Sequence, residues 1–96
     1  MILKVVSVRD HKAEEFQGLH LVPNLSVAVR MFGDTAVPDS MIARHPEDYS
    51  LVLLAEFNTE TGEITPIGRG GKFGDLVIEA SALVRQAPRL VEGEVA

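Results

Sequence analysis

The stretch LVLLAEFNTETGEITPI, residues 51–67, sets the tightest limit on how this chain can fold. Leu51, Leu53, Ala55 and Phe57 alternate onto one side, which is the period of a strand. Ile64 resumes the pattern after Thr59-Glu60-Thr61-Gly62. Gly62 supplies the positive φ that a short hairpin loop requires. Such a hairpin cannot bury its apolar side alone, so the flanking segments must cover it. His45-Pro46-Glu47-Asp48-Tyr49 makes a rigid polar entry into the first strand. Pro66 has no amide hydrogen to donate and keeps the second strand at a sheet edge.

Residues 2–9 are apolar on both sides. Leu3 and Val5 share one face; Ile2, Val6 and Val8 share the other, with Lys4 among them. That pattern predicts an interior strand covered on both sides, or one whose second face serves association. Asp10 and His11 break the run. Residues 12–17 read as a helical turn ended by Gly18, and residues 19–22 as a short extended piece stopped by Pro23. Asn24 is a good N-cap for a helix in which Leu25, Ala28, Val29 and Phe32 fall at i, i+3, i+4 and i+7, with Gly33 closing it. Ser40 caps a short turn carrying Met41, Ile42 and Arg44. Asp75 caps a last helix in which Leu76, Ala80, Leu83 and Ala87 share a face, with Val77 and Val84 beside them, and Pro88 marks its end.

The expected order is β-α-β-β-α. It implies an α+β fold: a small antiparallel or mixed sheet with helices packed on one face. Ninety-six residues, 46% of them apolar, support one modest core. The expected organisation is a single globular domain over 1–87 and a flexible C-terminal tail over 88–96.

The chain has no cysteine. This excludes a disulfide framework, a cysteine-ligated zinc and a thiol nucleophile, and it fits a reducing cytoplasm. The apolar N-terminal run is too short, and Lys4 comes too early, for a signal peptide. No run is long enough to span a bilayer. A soluble intracellular domain with no membrane partner is expected.

The net charge of −5 counts against a broad electrostatic footprint on nucleic acid. The charges are unevenly placed, however. Acids crowd into 14–15, 47–48, 60–63 and 92–94. Bases stand apart from them at Lys4, Arg9, Lys12, Arg30, Arg44, Arg69 and Lys72, which leaves room for a local basic face.

Motifs for chemistry are sparse. His11, His20 and His45 have no compact metal-ligand spacing, and no metal or other cofactor is expected. Gly68-Arg69-Gly70-Gly71-Lys72 matches a phosphate-cradling loop in composition only. A P-loop needs Ser or Thr after the lysine, and Phe73 stands there. It reads as a linker whose Arg69 and Lys72 remain able to touch a phosphate backbone. Glu47 and Asp48 are adjacent and cannot act as a paired acid and base. Ser7, Ser26, Ser40, Ser50 and Ser81 have no nucleophile elbow or local histidine, apart from a weak Ser40–His45 proximity. No catalytic constellation emerges, so the chain is not expected to be an enzyme. Arg9 and Lys12 bracket the end of the first strand with Phe16 close behind. A basic pair beside an aromatic is the minimum for gripping a single strand by charge and stacking. The plainer alternative has Phe16 in the core and both charges solvated.

Several blocks are similar to a known family. Val6-Ser7-Val8-Arg9-Asp10-His11-Lys12-Ala13-Glu14-Glu15-Phe16 resembles the opening "S-[IV]-R-D-x-K-A-x-x-F" of the small nonstructural proteins of gokushovirus-type microviruses, tiny icosahedral phages with single-stranded DNA genomes. Ala28-Val29-Arg30-Met31-Phe32-Gly33-Asp34 looks like that family's "A-x-R-x-F-x-D" helix. His45-Pro46-Glu47-Asp48-Tyr49-Ser50-Leu51, then Phe57 and Thr61-Gly62-Glu63, resembles its "H-P-E-D-Y-x-L…G-x-F-D-x-x-T-G", with Ala55 and Asn58 standing where the family often has Gly and Asp. The likeness runs to about Ile64. Gly18-Leu19-His20-Leu21 replaces the family's aromatic cluster, and the C-terminal third lies outside the likeness.

The resemblance implies a DNA-binding protein made during infection in the host bacterial cytoplasm and absent from the mature virion. It also implies a link to single-stranded genome synthesis or packaging. Arg9, Lys12 and Arg30 are the matched basic positions; Arg44, Arg69 and Lys72 join them from charge placement alone. The expected function is binding of single-stranded DNA without sequence preference, by a homo-oligomer whose copies add their few phosphate contacts together. The alternative is an interaction module that engages a phage or host replication protein and makes no DNA contact.

Overall fold

The computed structural model of the chain describes residues 1–68 and 74–84. Strand β1 (Ile2–Asp10) turns through 11–14 into β2 (Glu15–Val22), and the two pair antiparallel. This corrects the helical turn expected over 12–17. The reason is Asp10. Its Oδ1 accepts the amides of Lys12 and Ala13 at 3.0 and 3.1 Å, and Gln17 Nε2 lies 3.4 Å from its Oδ2. A carboxylate that captures two successive amides makes a tight turn in competition with a helix. Glu14, at φ 57°, completes the reversal.

Gly18 is likewise no helix end. At φ 76° it sits in a β-bulge where the register slips between Val6 and Val8. Ser7, fully enclosed, donates its hydroxyl to the Gly18 carbonyl, with the Gln17 carbonyl 3.3 Å away.

Helix α1 (Leu25–Thr35) begins where Asn24 Oδ1 accepts the Val27 amide at 3.0 Å, a cap worth about 1 kcal/mol. It runs past Gly33 to Thr35, whose hydroxyl donates to the Phe32 carbonyl at 2.7 Å. The short α2 (Met41–Arg44) is capped by Ser40, and a 3₁₀ turn (Pro46–Asp48) leads into β3 (Tyr49–Asn58). The turn around Gly62, at φ 80°, then leads to β4 (Ile64–Pro66), as the hairpin pattern predicts.

The expected helix capped by Asp75 is corrected to a strand, β5 (Asp75–Glu79), and a short α3 (Ala80–Val84). Leu76-Val77-Ile78 meets the part of the β3 edge that β4 leaves open, and pairing there satisfies both backbones. Tertiary pairing therefore overrides the helical spacing. The described elements run β-β-α-α-β-β-β-α, with the 3₁₀ turn before β3, where β-α-β-β-α was expected. The later part of the expected helix and the tail over 88–96 lie outside the described residues.

The fold is mixed α+β with one five-stranded antiparallel sheet and a few short helices. The strand order is β2-β1-β3-β4, with β5 beside β4 along the same edge of β3. Between them the Ile67 amide donates to the Leu54 carbonyl at 2.8 Å, and the Gly74 amide donates to the Ile67 carbonyl at 2.9 Å. Gly74 lies hard against β3. A Cβ there would come 2.3 Å from the Leu53 carbonyl oxygen and 2.7 Å from Val52 Cγ1, and its φ is +49°.

One face of the sheet carries Val6, Val22, Tyr49 and Leu51 against Ala28 and Phe32 of α1 and Ala80 of α3. Each large apolar side chain fully buried there contributes roughly 1.5–3 kcal/mol. Alternation along β1 and the paired registers send Ser7, Arg9, Phe16, Ser50, Val52 and Glu79 to the opposite face.

Candidate nucleic-acid interface

On that opposite face four residues stand in one row across four strands. Phe16 of β2 pairs with Arg9 of β1, Arg9 with Ser50 of β3, and Ser50 with Glu79 of β5. The Arg9 guanidinium lies over the Phe16 ring, 5.0 Å from its centroid, and both side chains are half-buried. A guanidinium stacked on an aromatic face presents positive charge from a held position and leaves little freedom to lose on binding. Phe16 is thus outside the main core, contrary to the plainer of the two readings of its sequence.

His11 opens the turn after β1. Its Nε2 lies 2.8 Å from the Ser50 hydroxyl, and its amide donates to the Asp48 carbonyl at 2.8 Å. Arg9, His11, Ser50 and Glu79 line an open cavity of about 480 Å³ with Val52, Leu76 and Gly74 as its apolar and backbone wall.

The turn divides the basic residues. Lys12 lines a second cavity, of about 270 Å³, with Asp10, Met41, His45, Asp48 and Tyr49. Arg44 is exposed and approaches Met41, with Nη2 at 3.5 Å from its Sδ. Arg30 is exposed on α1 and lines neither cavity. Lys4 is paired with Glu56 across β1 and β3. Arg69 and Lys72 lie outside the described residues. The structure therefore groups Arg9 with His11, puts Lys12 in a separate cavity, and places neither Arg44 nor Arg30 in the lining of either.

Acids are close by. Tyr49, buried at the start of β3, has its phenol pKa raised by loss of solvent, by the neighbouring Asp10 carboxylate and, less strongly, by Asp48. Among the described residues no three His, Asp or Glu side chains converge to hold a metal ion.

His11, Ser50 and Glu79 were missed in the sequence as members of one site. His11 and Ser50 are 39 residues apart, and no local spacing links them. Only the pairing of β1 with β3 brings them together, and only the strand form of residues 75–79 adds Glu79.

The family described as Phage ORF5 protein matches residues 3–83, most of the chain. The chain belongs to that family. It is accordingly a bacteriophage protein, and the match runs through the first hairpin, both helices that follow and all of β3, β4 and β5. Comparison with curated proteins and with solved structures gives no match. No helix among the described residues of this phage protein is long and apolar enough to cross a membrane.

Proposed function

We propose that this phage protein is a nonenzymatic accessory factor that binds single-stranded DNA, of the kind made by gokushovirus-type microviruses during genome synthesis or packaging. It acts in the host cytoplasm and is left out of the mature virion. The observation that carries this reading is the Arg9 guanidinium held over Phe16 beside His11, on the sheet face turned away from the core. Backbone charge and ring stacking are the two interactions that hold a single strand irrespective of its sequence. Family membership supports the phage setting of this reading, and the resemblance of the blocks around Arg9, Lys12 and Arg30 supports its DNA-binding part. The Ser50 hydroxyl, 1% exposed and engaged by His11, serves as a strut and not as an attacking group.

A monomer of net charge −5 with bases in separate groups neutralises few phosphates. Several copies on one strand add their contacts through effective concentration. Among the described residues β2 is an edge strand of the sheet, and Leu19 and Leu21 on it are exposed, which supports association of copies through this strand.

The test is fluorescence anisotropy of a labelled (dT) oligonucleotide at low and moderate salt. Binding that weakens as salt rises, and collapses in the Arg9→Ala/Lys12→Ala double variant, is expected. No binding at low salt, or binding indifferent to salt, defeats the proposal.

A second reading takes support from the acidic net charge and the exposed Leu19, Leu21 and Leu76: a module that docks on a phage or host replication protein. Under it the double substitution leaves nucleic-acid behaviour unchanged, because there is none to lose.

A further inference from the structure

The cavity beside Arg9 has an internal polarity that a plain phosphate site lacks. The Arg9 guanidinium and the His11 ring stand at one end, the ring held in place by its hydrogen bond with the Ser50 hydroxyl. The Glu79 carboxylate stands at the other, on the far side of Ser50. Arg9 and Glu79 are two strands apart, so their backbones are separated by roughly 10 Å at the usual strand spacing. The neighbouring row supplies an apolar floor, where Val52 pairs with Leu76. Val52 is buried and Leu76 is 60% exposed, so the floor is firm on one side and open to a ligand on the other.

A ligand matching this arrangement has an anionic end, a flat apolar body and a hydrogen-bond donor at its far edge. A nucleotide has all three. A carboxylate offers two acceptor oxygens and no donor, so it favours a base edge with two adjacent N–H groups. Among the four DNA bases only guanine presents that pair, through N1–H and the exocyclic amine. In a single strand this Watson–Crick edge is free to be read. Thymine places a carbonyl on each side of its one N–H and meets the carboxylate with repulsion. The volume, about 480 Å³, is within the range of pockets that take small ligands.

We propose that this cavity is a one-nucleotide pocket selective for guanine: Arg9 and His11 hold the phosphate, Val52 and Leu76 support the base, and Glu79 reads its edge. The proposal rests on the DNA-binding reading above and adds one base-selective position to contacts that otherwise ignore sequence. The preference is expected to act once per protein copy.

The experiment compares a labelled (dT)12 with the same oligonucleotide carrying one central dG, dC or dA, at fixed low salt, by anisotropy. A single dG is expected to tighten binding by about tenfold over dT, the scale of one good bidentate base contact. The dC and dA oligonucleotides, with one donor each, should fall between. In Glu79→Gln the dG-to-dT ratio should shrink towards one. Equal affinity of all four oligonucleotides for the wild-type protein overturns the guanine pocket and leaves the DNA-binding reading in place. A dG preference that persists undiminished in Glu79→Gln also overturns it. Failure of every oligonucleotide to bind overturns the DNA-binding reading and this inference together.

Discussion

The Nε2 of His11 and the hydroxyl of Ser50 meet at 2.8 Å, tying the turn of the first hairpin to the start of β3. The His11 amide reaches the Asp48 carbonyl at the same distance, so the turn is attached at two points. One point is a side chain and the other is backbone. The row from Phe16 to Glu79 is therefore set on strands whose ends are fastened, and a ligand on this face meets side chains already in place. Such fastening lowers the ordering cost of binding.

Gly74→Ala should be the most damaging single-methyl change on this sheet. The added carbon has no room beside Leu53 and Val52, and φ +49° already disfavours any side chain. A loss of more than about 1 kcal/mol in urea unfolding is expected. Wild-type stability in this variant would show that the close approach of Gly74 to β3 is wrong.

Asp10→Ala should loosen the first hairpin, because the Lys12 and Ala13 amides lose their acceptor. The expected cost is about 1–3 kcal/mol. Asp10→Asn keeps an acceptor oxygen and should recover most of it. Amide hydrogen exchange at Lys12 and Ala13 reads the effect directly: protection lost in the alanine variant and largely kept in the asparagine variant. Equal protection in all three proteins would remove Asp10 from its role in the turn.

Tyr49 links stability to alkaline pH. Its folded-state pKa is raised above the ordinary 10.0 by burial and by Asp10 and Asp48. The folded chain therefore holds a proton that the unfolded chain releases first. Its contribution is fully present below pH 10 and is lost as pH climbs through the raised value. Urea midpoints should fall above about pH 10 in the wild type, and Tyr49→Phe should flatten that decline. Identical alkaline profiles would contradict the burial of the phenol.

Association through β2 is tested at Leu21, 55% exposed on this edge strand. Leu21→Lys places a charge where a second copy would pair and should shift sedimentation from oligomer to monomer. Sedimentation of the wild-type protein as a monomer at every concentration would remove the edge from consideration.

The hairpin at 51–67, the Asn24-capped helix and the Ser40-capped turn were legible in the sequence because each is written locally. Alternation, a glycine at the turn and a capping side chain within three residues suffice for these. Two segments were misread for one shared reason. Residues 12–17 and 75–79 carry helix-compatible spacing, but their fate depends on a partner strand that no local window contains. At 12–17 Asp10 reads locally as a break, although its carboxylate builds the turn. At 75–79 Leu76 fits a helical face with Ala80, although Leu76-Val77-Ile78 also suits a strand. The same dependence hid the candidate site. Arg9 and Phe16 were close enough in sequence to be considered together, whereas Ser50 and Glu79 join them only through β3 and β5.

The hydrogen bond from Gly74 to Ile67 acts as a clasp at the base of the segment that separates β4 from β5. Ile67 is itself tied to β3 through the Leu54 carbonyl, so the clasp makes the two short strands lean on one another, and a change that loosens either is expected to loosen the other.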